Sequence, residues 1–481
     1  MIEKRMTTHN WIRFLSILAL MGVLLGACTP QTTVTPTDAL IAEATEATNE
    51  PTEVPTPRVT ATPSRPIQLE VDGTDLAGIV VRVVHPWTGE MADTLESLAM
   101  QFSLSNEWDI WVETEPMGSE MSVVEGLQSD INNRSLPGIV VATPYMLEQL
   151  NGQMYSVNLM DYYTDLDWGL SAEEQADIPG AFLDPYRSDG LLSALPIAPQ
   201  ATLLFINQTW AQELGYAALP ADPTELQKML CDAAYQNNID DVDRTDGTGG
   251  WVVNLDPNVL LSWFAAYGGE LEPNSLAFNT ESGQTAFGYL EQLRAEGCAW
   301  ESINPDPYEY FSERLTIMFA GETGQIPYLR NWMATLGSED LWTVAPFVGT
   351  GGSPVIVDGP AMLMTANSAE IQMASWLFMR YLLSAEAQAA IAQASYSIPV
   401  RQSALDLMGD FAVQNPQWLL AYKYSANAVA APTSELWGMK QWILQDAVFR
   451  LLQLDMDDTV KVEDVLRDAD AALDAIEESM P

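Results

Sequence analysis

The stretch 358-DGPAMLMTANSAEIQMASWLFMRYLLSAEAQAAIAQASYSIPVR-401 holds three units in fixed order, and the rest of the chain can be placed around it. A Gly-Pro break at Gly359 precedes a short apolar run, Ala361 to Met364, whose length and flanking turn residues predict a buried strand. An amphipathic helix then starts near Ser368, because Ile371, Ala374, Leu377, Phe378, Tyr381 and Leu382 recur at helical spacing and make one apolar stripe. Ser384 can cap a second helix, with Glu386 in its first turn, so that helix follows at once. Pro399, lacking a backbone N–H, is expected to end it.

Composition bounds what the remainder can be. A chain of 481 residues is too long for one ordinary core, and 47% hydrophobic residues suffice to fill two. The formal net charge of -46 excludes nucleic acid and anionic lipid surfaces as partners. His9 and His85 are the only histidines, which excludes a His-rich metal site and leaves His85 alone to serve a Ser-His-Asp triad. Neither cofactor nor metal is expected.

Lys4, Arg5 and Arg13 precede the apolar run Phe14 to Leu25, which is too short for a free-standing membrane span and predicts a signal peptide over residues 1–27. LGAC, ending at Cys28, resembles the lipobox of bacterial lipoproteins, which implies cleavage before Cys28, lipid on its sulfur and an extracytoplasmic, membrane-anchored protein. An ordinary signal peptide with a chance Cys is the alternative. Residues 28–66 are rich in Thr, Pro, Ala and Glu with almost no bulky apolar side chains, so they predict a disordered tether.

The globular part begins near Ile67. GIVVRVV (Gly78 to Val84) is a β-branched run of the kind buried in parallel sheets. A helix at Met91 to Phe102, a strand at Trp108 to Val112, a helix at Val123 to Ile131 and a strand at Gly138 to Ala142 follow. The βαβαβ order predicts an open, doubly wound sheet, whose ligands sit beyond the carboxyl ends of the strands, at His85 to Glu90 and Thr143 to Tyr145. A strand at Thr202 to Ile206, a helix capped near Asn207 and another signalled by Asp222-Pro223-Thr224 come next. With Cys28 set aside, Cys231 and Cys298 remain as a pair on two expected helices in an oxidising compartment. They form either a disulfide or two buried thiols.

Taken in order, these segments resemble family 1 extracellular solute-binding proteins. LPIAPQATLLFINQTWAQELGYAALPADPTELQKML (195–230) is similar to the family's segment that crosses into its second lobe, with Phe205-Ile206-Asn207 standing where Tyr-Tyr-Asn is usual. Trp251 to Trp300, with its double Gly at Gly268 and Gly269, and Arg314 to Trp332 continue the likeness, and the stretch quoted first resembles the passage between lobes. The resemblance implies a two-lobed α/β fold of the periplasmic-binding-protein type, each lobe an open, mostly parallel sheet flanked by helices. One lobe would hold residues 67–199 and 343–383, the other 200–342 and 384–481. It further implies a monomer without catalytic activity that captures a small solute, a carbohydrate in the first instance, by hinge closure and delivers it to the permease subunits of an ATP-binding-cassette importer. Another solute (a polyol phosphate or a peptide), a sensor as recipient, and a secreted glycoside hydrolase pairing Glu90 with Asp256 stay open as alternatives.

The resemblance also implies the residues of the cleft. Trp87, Thr88 and Glu90 lie in the loop after the first strand, Thr143 and Tyr145 after the third, and Gln200 at the crossover. Asp256 and Asn258 flank Pro257, while Arg330 and Trp332 fall near the family's Trp segment. Trp437 matches a second stacking position, and Asp358 and Gly359 lie on the hinge side. Arg401 is a possible clamp for an anionic group.

Overall fold

A computed structural model describes residues 69–143, 145–146, 156–188, 190–271, 276–302, 304, 306–453 and 461–479. The expected signal peptide, Cys28 and the tether lie outside the described residues. Among the described residues no helix is long and apolar enough to cross a membrane.

The β-branched run forms β1 (Val80–His85), which pairs in parallel with β2 (Trp111–Pro116) on one side and β3 (Ile139–Ala142) on the other. Val81 and Val83 are fully buried, as a central strand requires. β2 starts three residues later than the sequence reading placed it. Asn106 Oδ1 accepts from the backbone N–H groups of Trp108 and Ile110, and Asp109 takes φ 56°, so a side-chain-organised turn occupies the positions assigned to the strand. Helices α1 (Gly89–Ser105) and α2 (Glu120–Asn133) are the crossovers. Leu95, Leu98, Ala99 and Phe102 of α1 bury their apolar stripe in the core of this first sheet. A short strand, β4 (Leu195–Pro196), lies at its far edge.

The second sheet is built on β5 (Gln200–Asn207). Helices α3 (Pro223–Ile239), α4 (Pro257–Ala266) and α5 (Ile326–Leu336) belong to this half, the first two starting on the side-chain caps Asp222 and Asp256. Its strands are β6 (Gly249–Val252), β7 (Ala299–Trp300), β8 (Thr316–Glu322), β9 (Trp342–Ala345) and β10 (Val355–Asp358). β5 runs antiparallel to β8 along one side and to β9 and β10 along the other, while β8, β6 and β7 are mutually parallel.

The sheets correct one boundary of the sequence reading. Residues 343–358 were expected with the first lobe, yet β9 and β10 both pair with β5. The chain rejoins the first sheet only at β11 (Ala361–Met364), antiparallel to β3 and β4, so the Gly359-Pro360 break is itself the passage. A last strand, β12 (Ala428–Ala430), lies parallel to β10.

Two passages run side by side there. Gly359 has φ 154°, and a Cβ on it would meet the carbonyl of Ala198 at 2.8 Å and Cα of Pro199 at 3.0 Å, so any larger residue would push the passages apart. Ile197 N–H donates to Pro360 O at 3.3 Å, and Ile398 N–H to Pro199 O at 2.7 Å.

Helices α6 (Ala369–Leu382) and α7 (Ala385–Ser395) follow, with Ser368 and Ser384 accepting from the backbone N–H of Ile371 and Ala387. α7 stops at Ser395, where Tyr396 takes the left-handed conformation at φ 56°; Pro399 comes too late to be the cause. Ala387 and Ile391 pack in the first core and Ala389 and Ala392 in the second, so α7 lies between the lobes rather than within the second. Helix α8 (Glu435–Leu452) packs on the second lobe. Cys231, in α3, and Cys298 have Cα atoms 4.4 Å apart with their sulfurs at bonding distance. Cys298 is in the turn before β7, not on a helix as expected.

Candidate functional site

Where the carboxyl ends of the strands from the two sheets approach, the chain gathers four carboxylates. Glu120 begins α2, behind the cap Ser119, and accepts a hydrogen bond from Thr143 Oγ1 at 2.9 Å, just beyond β3. Asp256 caps α4 by accepting from Asn258 N–H. Glu322 ends β8 and Asp358 ends β10. Asn258 ties the last two together, since its Nδ2 donates to Glu322 Oε1 at 3.3 Å and to Asp358 Oδ2 at 3.1 Å.

Like charges this close oppose one another's ionisation. Burial, then Asp256 and Asp358, push Glu322 up to about 8, a rise that the hydrogen bond from Asn258 only partly offsets. Burial raises Asp358 against the stabilising Asn258 and Gly359 N–H donors, and raises Glu120 against its bond from Thr143. Burial likewise raises Asp256, although its residue surface stays exposed at the rim while protein atoms crowd the carboxyl itself. Glu120, Glu322 and Asp358 keep some solvent contact and are half-buried by surface area. On the hinge side of Asp358, a cavity of about 20 Å³ between Tyr186, Gly359 and Thr433 has room for little more than one water.

Of the residues expected in the cleft, Thr143, Asp256, Asn258 and Asp358 meet in this cluster, with Gly359 beside it. Tyr145 packs against the second core, resting on Gly438, where a Cβ would stand 2.8 Å from its ring, so the two lobes touch here. Trp87 is half-buried against the ring of His85, with centroids 5.6 Å apart. His85 is fully buried, and burial pushes its imidazole down to about 4, so it stays neutral. Thr88 and Glu90 are exposed at the start of α1 and share no hydrogen bond with the cluster.

Five other expectations are corrected. Gln200 is spent inside the second lobe and at α7, its Oε1 accepting from Thr323 Oγ1 and Gly324 N–H and its Nε2 donating to Ser395 O. Arg330 donates to Asn415 and, at 2.7 Å, to Tyr396 Oη, and lines an open depression of about 600 Å³ with Asp340 and Trp342 that includes none of the four carboxylates. Trp332 is half-buried against the second-lobe core that holds Trp342, and Trp437 is 2% exposed, a core residue of the second lobe. Arg401 is buried and holds Leu383 O and Glu174 O, with Asp177 at 3.6 Å, so it cannot clamp a solute.

Glu120 and Glu322 were not foreseen. The rule that ligands sit beyond strand ends, applied to RLTIMFAGE as it was to GIVVRVV, selects Glu322 at the end of its run. The family likeness instead points ten residues on, to Trp332.

A family model described as bacterial extracellular solute-binding protein matches residues 98–419, about two thirds of the chain. The chain belongs to that family. Solved structures agree on the two-lobed fold of this solute-binding protein. The cyclic alpha-maltosyl-1,6-maltose binding protein from Arthrobacter globiformis superposes with TM-score 0.70 at 16% identity, over 84% of this chain and 100% of that one. The sugar-binding protein MalE from Xanthomonas citri gives 0.70 at 18%, over 84% and 100%. UgpB from Mycobacterium tuberculosis, in complex with glycerophosphocholine, gives 0.66 at 15%, over 83% and 98%. No curated protein sequence matches the chain.

Proposed function

We propose that the solute-binding protein captures a small hydroxylated solute, a carbohydrate in the first instance, between its lobes and presents it by hinge closure to the permease subunits of an ATP-driven importer. The observation that carries this reading is the polar cluster at the strand ends, to which both sheets contribute: Glu120 and Thr143 from one, Asp256, Asn258, Glu322 and Asp358 from the other. Hydroxyl groups need directed acceptors, and a closed cleft supplies them away from water. The binding of sugars by the proteins from Arthrobacter globiformis and Xanthomonas citri supports the carbohydrate, as their descriptions name it. The anchor at Cys28, a monomeric state and the Cys231–Cys298 disulfide belong to the same reading, that of a lipoprotein working outside the cytoplasm.

Against the hydrolase alternative, Glu90 stands exposed at the start of α1 and shares no hydrogen bond with Asp256, which caps α4. A thermal-shift screen with sugars, polyols, glycerol phosphates and peptides tests the reading. A ligand at a hundred times its Kd stabilises by about 2.7 kcal/mol, which a melting curve resolves. Stabilisation by peptides alone would refute it.

A further inference from the structure

The cluster has more acceptors than the protein can satisfy. None of Glu120, Asp256, Glu322 and Asp358 shares an ion pair with Lys or Arg among the described residues. Their side-chain donors are Thr143 Oγ1 and Asn258 Nδ2. Asn258 supplies a second, independent sign. Its residue is 8% exposed, its Nδ2 is committed to two carboxylates, and the Oδ1 of the same amide is buried with no partner. An orphaned acceptor beside half-buried carboxylates asks for a donor that carries positive charge.

Geometry says which kind of cation. No three of these four carboxylates bring one oxygen each within 4.8 Å of one another among the described residues, so they do not close an all-carboxylate cage around a divalent metal ion. An ammonium group donates three separate hydrogen bonds and is served by acceptors spread around it. The chain's net charge of -46 would steer such a solute in and an anionic one away.

We infer that the solute carries a cationic nitrogen, and that the ligand is an amine-bearing sugar whose ammonium is held by Glu322, Asp358 and Asn258 Oδ1. This rests on the reading of the cleft as a carbohydrate site and narrows it.

Calorimetric titration of the full chain with the glucosamine disaccharide, its N-acetylated counterpart and maltose tests the inference, because acetylation removes the charge and keeps the ring. The amine form should bind at least tenfold more tightly than either neutral sugar. Glu322→Gln should weaken the amine form tenfold or more, and Asp358→Asn gives the same comparison should the first variant fail to fold, which its melting curve reveals. Equal or tighter binding of a neutral sugar, unmoved by Glu322→Gln, would overturn the inference and leave the carbohydrate reading standing. Calcium chloride raising the melting temperature and displacing the sugars would overturn it in favour of a metal ion. Binding of none of the three sugars would sink both readings.

Discussion

Glu322 folds more readily protonated than charged, because burial and the neighbouring Asp256 and Asp358 all oppose its ionisation. With its pKa lifted from 4.5 to about 8, it adds no penalty below its unfolded value; the penalty grows as pH climbs between the two and is complete above the higher one. Glu120, Asp256 and Asp358 are shifted in the same direction. Urea titration without ligand should therefore give lower stability at pH 8 than at pH 5. Glu322→Gln should flatten that slope and raise stability at pH 8 by on the order of 1–3 kcal/mol, a range already discounted for the side chain's solvent contact. A variant less stable than its parent at pH 8 would contradict this account. Trp437 shows the limit of reading a single side chain from sequence. A Trp at helical spacing looks the same whether it faces a cleft or a core, and this one is 2% exposed among second-lobe residues. Trp437→Ala should cost roughly 3–5 kcal/mol in the same titration, whereas a stacking residue in an open cleft would cost little.

Individual helices and strands were legible where short-range chemistry decides them. Ser368, Ser384, Asn207 and Asp222 cap as their positions suggested, because capping needs only a side-chain oxygen and the next few backbone N–H groups. Sheet membership was less legible. β9 and β10 are apolar runs that either sheet could have used, and pairing with β5, well over a hundred residues earlier, leaves no local mark. The Cys231–Cys298 pair joins α3 to the turn before β7 across a sequence separation of 67. By the chain-entropy argument, replacing both with Ser should lower stability by about 4 kcal/mol, and mass mapping of non-reduced peptides should link the two segments. Both cysteines alkylated freely under non-reducing denaturation would count against the bridge.

For the whole molecule, the open α/β sheet of the first lobe was readable from its strand–helix order, because successive units leave few topologies open, and the two lobes from the family likeness. The cleft was only half readable: strand ends pointed to Thr143, while the meeting of Glu120 with Glu322 depends on how two sheets face each other, which no spacing encodes. The passage at Gly359 carries one more consequence. Since β11 returns to the first sheet only after nearly all of the second has been made, that first sheet has an inner strand, the one between β3 and β4, contributed from late in the chain. Neither lobe is a contiguous module, so a chain leaving a ribosome cannot complete its first sheet until the larger one is almost finished. Cutting the chain at Pro199 would yield no independent half. Exchange of a lobe between related proteins by recombination at one junction is closed to this architecture; such an exchange takes at least two.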